Sequence, residues 1–386
     1  MTSSRAWGLT RAPRARNMDS VECLTTLCRA GLRKTLNPLT ALYDRQIRDA
    51  RLETTFGTED LTSTCICLIG VDRSGLDPST LSLSPQLTLD AVIELARRRR
   101  YAGGLGLLVW ANAVLDGLSL DELLNRVGLS LDEPGTFVSQ LTTMETAWLA
   151  SGLLHEFARS GNEPTQRLAQ ATLAALSDRY NESSQLMRHA SAEAPLSHRM
   201  RLGIANFADQ IYSVQAFAFA AMVLGDKQAL ERAAGLATQL VTLQGPLGQW
   251  WWHYDAAVGE VAEPYPVYSV HQHAMAPMAL LALRAAGGPD FAGAVARSYG
   301  WLRRNELSID MVDRKAETIW RDIERAEGGA TSALHKSLEL IGRRRPAIAT
   351  RKESLKLNRE TRPYEWAWCL YANSIAEGTE KGRHLL

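Results

Sequence analysis

Helical stretches that are apolar on nearly every face recur along this chain, and they alternate with helices apolar on one side only. A helix apolar all round has to be buried on all sides, whereas a one-sided helix lies at a surface. The first kind is predicted six times, over 59–70, 103–117, 143–161, 208–225, 268–287 and 362–376. Each opens on a polar or aromatic group, and glycine often closes it, as in GGLGLLVWANAVLDG. Between them lie helices with charged outer faces, over 87–100, 119–127, 164–178, 226–243 and 290–305. Another is predicted over 20–36, with Asp19 as its N-cap and Pro38 placed to stop it. Alternating β-branched runs closed by Asn-Gly or Asp-Gly turns are absent. The expected fold is all-α: an (α/α)6 toroid, with inner helices packed on both flanks and an outer ring shielding them. A generic multi-helix bundle is the alternative. One main domain is expected over 18–386, with a charged insertion at about 306–360 that reads as a lid or an extra helical pair. Residues 1–17 are expected to be disordered, with Met18 a candidate start.

Charge and cysteine usage narrow the function. Lys+Arg at 43 against Asp+Glu at 42 argues against an extended phosphate-binding surface, so nucleic acid is not an expected partner. The basic runs 97–100 and 343–345 sit where helices should end, where the helix dipole favours cations. The five cysteines fall mostly inside apolar helical patterns and read as reduced, structural thiols of a cytoplasmic protein. No secretory signal or membrane-spanning run of roughly 20 residues is recognised. No metal-binding spacing or Gly-rich phosphate loop is present, so neither a metal nor a cofactor is expected. The oligomeric state stays open.

If the inner helices run the same way, their N-termini meet at one mouth of the barrel. The residues opening them then line a shared pocket: Glu59, Asp60, Glu145, Trp148, Asp209, Tyr212, Tyr268, His271, Arg362, Tyr364, Glu365 and Trp366. An acid at a helix N-terminus is also expected from capping alone, which is the plainer reading of Glu59, Asp60 and Asp209. The densest cluster of aromatic and titratable groups follows a Gly-Pro turn. It runs through Trp250, Trp251, Trp252, His253, Tyr254 and Asp255 to Tyr265, Tyr268, His271, Gln272 and His273. His271 and His273 are two apart, so on a helix only one of them can face the pocket. Pro277 is expected to kink the helix that follows.

Gln244 to Trp250, QGPLGQW, reads Q-x-x-x-G-x-W at the turn from an outer to an inner helix. It resembles the QW motif of the terpenoid cyclase and protein prenyltransferase toroid superfamily, in which the Gln ties helix ends together and the Trp stacks against it. The resemblance covers about a dozen residues in one copy, and Gln239 stands where an aromatic is usual. It implies a toroid and, as activity, a terpene-cyclase-like enzyme performing metal-independent acid–base cyclisation or isomerisation of an isoprenoid or similarly apolar substrate. The family's D-x-D-D, D-D-x-x-D and zinc-ligand patterns are absent. A proton donor would therefore have to be a substitute acid, with Asp255 the first candidate and His253 or His271 its partner. The aromatic rings would face developing carbocations.

The alternative is a carbohydrate-active (α/α)6 enzyme, a sugar epimerase, lyase or glycoside hydrolase. Glu145 with Glu365, or Asp209 with Asp255, would then be acid and base, and Trp148, Trp250, Tyr254, His271, His273, Arg362, Tyr364 and Glu365 would suit a sugar site. A non-catalytic helical binding scaffold is the second alternative. Either enzyme takes a small-molecule substrate.

Overall fold

The computed structural model describes residues 18–48, 58–326 and 355–379. Six helices form a closed inner ring among the described residues: α2 (Leu61–Ser74), α4 (Leu105–Val114), α7 (Thr143–Ser160), α10 (Phe207–Leu224), α12 (Ala276–Ala285) and α14 (Pro363–Glu377). Each packs on the next, and α14 touches both α12 and α2, which shuts the ring. Outside it lie α1 (Met18–Thr35) against α14, α3 (Pro85–Arg99) against α2, and α5 (Leu120–Val127) against α3. The outer ring continues with α6 (Pro134–Ser139) against α8 (Glu163–Ser177), which packs on α7. It ends with α11 (Lys227–Thr242) against α10 and α13 (Ala292–Trp301) against α12; α9 (Leu196–Arg199) is a single turn in a connection. This is the expected (α/α)6 toroid. The helix of Phe207–Leu224 is long and apolar enough to cross a membrane, but its surroundings are the other inner helices and it is mostly buried.

The predicted starts and stops follow capping chemistry. Asp60 accepts from the Ser63 amide to open α2. Reciprocal capping boxes, Thr142 with Glu145 and Asn206 with Asp209, open α7 and α10. Gly161 and Gly225 end those two helices in the left-handed conformation that costs glycine little.

Strands are more numerous than the sequence suggests, though each is two to four residues long. They cluster in the connections at the end where the inner helices begin. Ile204–Asn206, His253–Asp255 and Glu260–Glu263 make one antiparallel sheet, and Leu355–Asn358, Asp322–Arg325 and Val267–Tyr268 make another. The expected charged insertion is thus partly strand: residue 322 pairs with both Tyr268 and Asn358. The expectations for 1–17 and for 327–354 lie outside the described residues.

The ring is tightest between α4 and α7. A Cβ on Gly106 would run into the backbone of Trp148 and Leu149, and one on Gly152 into the Gly106 carbonyl. Gly106→Ala should therefore destabilise the fold. Overpacking costs about 1–3 kcal/mol, which outweighs the roughly 1 kcal/mol that alanine gains over glycine in a helix. A lowered urea midpoint with an unchanged slope is the expected readout; an unchanged or raised midpoint would refute this account of the α4–α7 contact.

Candidate active site

The inner helices do present their starting ends to one mouth, and a hollow of about 290 Å³ lies there. Its wall takes Thr62 and Ile66 from α2, Met144 and Trp148 from α7, and Ala208 and Tyr212 from α10. Trp252, Tyr268, Val270, His271 and Met275 come from the connection into α12, and Arg321, Arg362 and Tyr364 complete it. The floor is aromatic. Trp148 meets Tyr212 edge-on at 5.4 Å, and the Tyr212 hydroxyl accepts a 2.7 Å bond from Trp368 Nε1.

His271 belongs to a second aromatic group. Its ring lies 4.4 Å from Phe207 and 5.1 Å from Tyr268, and is near-parallel to Trp252 at 6.2 Å. Burial first, and then the nearby Arg321 cation, push its pKa down to about 3, so the imidazole is neutral at neutral pH. The Trp250 backbone, hydrogen-bonded to the ring, offsets a small part of that shift.

Arg321 is the residue that the sequence reading missed. Its backbone carbonyl is fixed by the Ser269 amide at 2.8 Å and the Ser269 hydroxyl at 3.0 Å. The guanidinium sits 4.8 Å over the Tyr268 ring. Its nitrogens stand 3.3 Å from Asp322, 3.2 Å from Glu360 and 3.7 Å from Glu365. Glu360 also takes a 2.6 Å bond from Arg362 Nε, so one carboxylate holds two guanidiniums side by side. Burial drives the Glu365 pKa up to about 8 and that of Asp322 up to about 7, with Arg321 offsetting part of each shift.

Of the residues expected at the site, the structure brings Trp148, Tyr212, Trp252, Tyr268, His271, Arg362 and Tyr364 to the hollow. Glu365 lies behind Arg321, fully buried. The others are drawn elsewhere by identifiable interactions. Glu145 accepts from the Thr142 amide and from the Tyr101 hydroxyl at 2.7 Å. Asp209 accepts from the amides of Met144 and Asn206 and from His189. Asp60 caps α2, and Glu59 accepts from Asn37 at the edge of the barrel.

Asp255, the expected acid, accepts from the Ala257 and Val258 amides and so shapes its hairpin turn. The Nε2 of His253 accepts from Arg201. Trp250 is packed on Phe207, and its amide donates to Gln272, which ties two chain segments together. Tyr254 accepts from the Trp251 amide, and Tyr265 lies under Arg325. His273 turns away from His271 towards the Cys369 thiol. Trp366 faces outward, its ring against Gly31 of α1. Gln244 does tie helix ends together, donating to the Gly248 and Ala294 carbonyls, while Trp250 stacks on Phe207 and not on Gln244. Among the described residues, no group of three or more His, Cys, Asp or Glu is disposed to hold a metal.

No protein-family model matches the chain, and no curated protein matches it in sequence. Solved structures are similar in fold. An unsaturated glucuronyl hydrolase from Bacillus sp. GL1 is 13% identical, with 92% of this chain and 97% of that chain covered and a TM-score of 0.58. A sugar epimerase from a ruminal bacterium is 11% identical, covering 94% and 99%, at 0.58. A D-mannose isomerase is 10% identical, covering 96% and 100%, at 0.62. The resemblance is therefore to carbohydrate-active (α/α)6 enzymes along nearly the whole chain, and at this identity it concerns the fold.

The buried titrating groups give stability a defined pH profile. Glu365 and Asp322 bind protons more tightly folded than unfolded, so their contribution is full below about pH 4 and is lost as pH rises through about 7 and 8. His271 works oppositely: its depressed pKa costs stability only as pH falls below 6.5. Between pH 6.5 and 8.5 these carboxylates lower stability as pH rises, against the Cys369 thiol, whose pKa is pushed down to about 5 and whose contribution grows with pH, and Glu365→Gln should shift the slope upwards from that of the natural sequence. Denaturant titrations across this range in both proteins provide the check; an equally steep slope in the variant would contradict the assignment.

Proposed function

We propose that this chain is a carbohydrate-active enzyme that holds a small saccharide at the mouth of the toroid and moves a proton at one of its carbons, as a sugar isomerase or epimerase does. The observation carrying the reading is the shared wall of His271 and Arg321: a neutral imidazole beside a fixed guanidinium. A neutral imidazole can accept a proton from a carbon next to a carbonyl. The C–H pair becomes a C=C bond while the carbonyl π pair moves onto its oxygen, where Arg321 stabilises the enolate. Returning the proton to the neighbouring carbon, as the hydroxyl hydrogen passes from one enediol oxygen to the other, gives the isomer, and returning it to the same carbon after the intermediate has turned over gives the epimer, in neither case with a redox partner.

Several further features support a sugar. The flat faces of Trp148, Trp252 and Tyr268 offer apolar platforms, the guanidiniums and tyrosine hydroxyls offer polar contacts, and the volume is at the small end for ligand sites. The similar folds bear the names of a hydrolase, an epimerase and an isomerase of sugars. Two-carboxylate hydrolysis is supported less well, because no carboxylate lines the hollow among the described residues. The cyclase reading is also weaker. Its aromatic walls are present, but Arg321 and Arg362 stand in the same wall, and a carbocation forming there would be repelled by both.

Incubation with a panel of aldoses and ketoses in deuterated water tests the proposal, with deuterium at a carbon read by mass spectrometry. His271→Asn should lower turnover by about 10²–10⁴-fold, the usual worth of a general base, with an unchanged unfolding midpoint. Trp252→Ala should chiefly raise KM. Turnover by His271→Asn at the normal rate would remove this residue from the mechanism, and release of a free sugar from a glycoside without exchange would replace proton transfer by hydrolysis.

A further inference from the structure

We infer that the saccharide taken by this hollow is acidic, its carboxylate received between Arg321 and Arg362; the inference rests on the sugar reading above and narrows it. Both guanidiniums line the hollow, and both are tied to the same Oε1 of Glu360, at 3.2 and 2.6 Å. That shared anchor sets the two cations next to each other, an arrangement that like charges do not adopt without a counter-charge. The side chains of Arg321 and Arg362 are only 11% and 18% exposed, so water does little to screen them.

The carboxylates at hand do not balance the pair. Glu360 supplies one negative charge for two positive ones. Glu365 and Asp322, the other acids within reach of Arg321, are both shifted towards their neutral forms by burial. The wall itself carries no carboxylate among the described residues. The site therefore has positive charge to spare, placed on forked donors whose geometry matches a carboxylate.

Orientation is built in as well. Arg321 is laid over Tyr268 and its own carbonyl is clamped by Ser269, so the fork is held before any ligand arrives. A ring stacked on Trp252 or Trp148 would then carry its acidic group towards the arginines. Uronic acids have this shape, a pyranose with a carboxylate on C5.

Calorimetric or NMR titration of the full chain with D-glucuronate, D-galacturonate, D-glucose and D-mannose tests the inference. A uronate is expected to bind at least about tenfold more tightly than either neutral sugar, the effect of one added charge-assisted bond. Raised salt should weaken only uronate binding. Arg362→Gln should weaken uronate binding far more than neutral-sugar binding and so remove the uronate preference, and Arg362→Lys should restore part of it. Arg321→Gln is the harsher variant because its removal also strips Glu360 and Glu365 of a partner, so Arg362 carries the test. Equal affinity for neutral and acidic sugars, or an Arg362→Gln variant that keeps its preference, would overturn the acidic-sugar inference and leave the sugar reading standing. Failure of every sugar to bind would overturn both.

Discussion

Six helices that are apolar on almost all sides can be satisfied only if the ring they form is closed. An open arc would leave two helices each with a bare flank, at about 25 cal/mol for every Å² of apolar surface left in water. Closure falls to α14, which packs on α12 on one side and α2 on the other, with Trp366 laid against Gly31 behind it. Trp368 of the same helix fills the middle of the ring, 5.6 Å from Trp110 and bonded to the Tyr212 hydroxyl. The barrel axis is therefore plugged by aromatics, and the hollow is confined to the mouth above Tyr212. The position and the shallow depth of the candidate site are consequences of how the ring shuts.

The same mouth is where each inner helix begins, with backbone amides that have no partner within the helix. Capping them consumes acidic side chains. Glu145 accepts from the Thr142 amide and hydroxyl and from the Tyr101 hydroxyl, and Asp209 from the Met144 and Asn206 amides and from His189. An acid so engaged is held in place by its partners, which suits it to capping more than to chemistry on a substrate. The acids that do behave unusually, Glu365 and Asp322, are those that burial has left short of hydrogen bonds. Carboxylates that cap helix starts are thus distinguished from the buried acids near Arg321 by the hydrogen bonds they accept.

That distinction explains what could be read from the sequence and what could not. The toroid was legible because helix periodicity and all-round apolarity are local properties, as were the glycine ends of α7 and α10. The convergence of Trp148, Tyr212, Tyr268, His271, Arg362 and Tyr364 followed from the same helix starts. Asp255 reads as available because it stands in an aromatic-rich stretch, and only the tight hairpin after His253–Asp255, not visible from composition, turns it towards its own backbone. Arg321 was missed because it enters from a distant connection. Its only trace is the run TIWRDIER, whose β-branched residues at 318, 319 and 323 mark a strand inside a segment read by its charge. Nothing local to that run indicates that it pairs with Tyr268, since register between remote strands is a tertiary property.

The opening of α12 joins local chemistry to the site most directly. Pro277 has no amide hydrogen, and its ring excludes the usual position of the His273 carbonyl four residues earlier. The chain answers with one wide turn over His271–Met275, in which the Ala276 amide bonds to the His271 carbonyl five residues back, before regular helix resumes. The extra residue rotates the helix start relative to its body. His271 then faces the hollow among Phe207, Trp252 and Tyr268, and His273, two residues later, is directed into the core beside Cys369. With a regular turn here, the ring that packs α12 against α10 and α14 would fix a different side of this segment towards the mouth. The proline, which bears no functional group, thus decides which of two histidines is placed to meet a substrate.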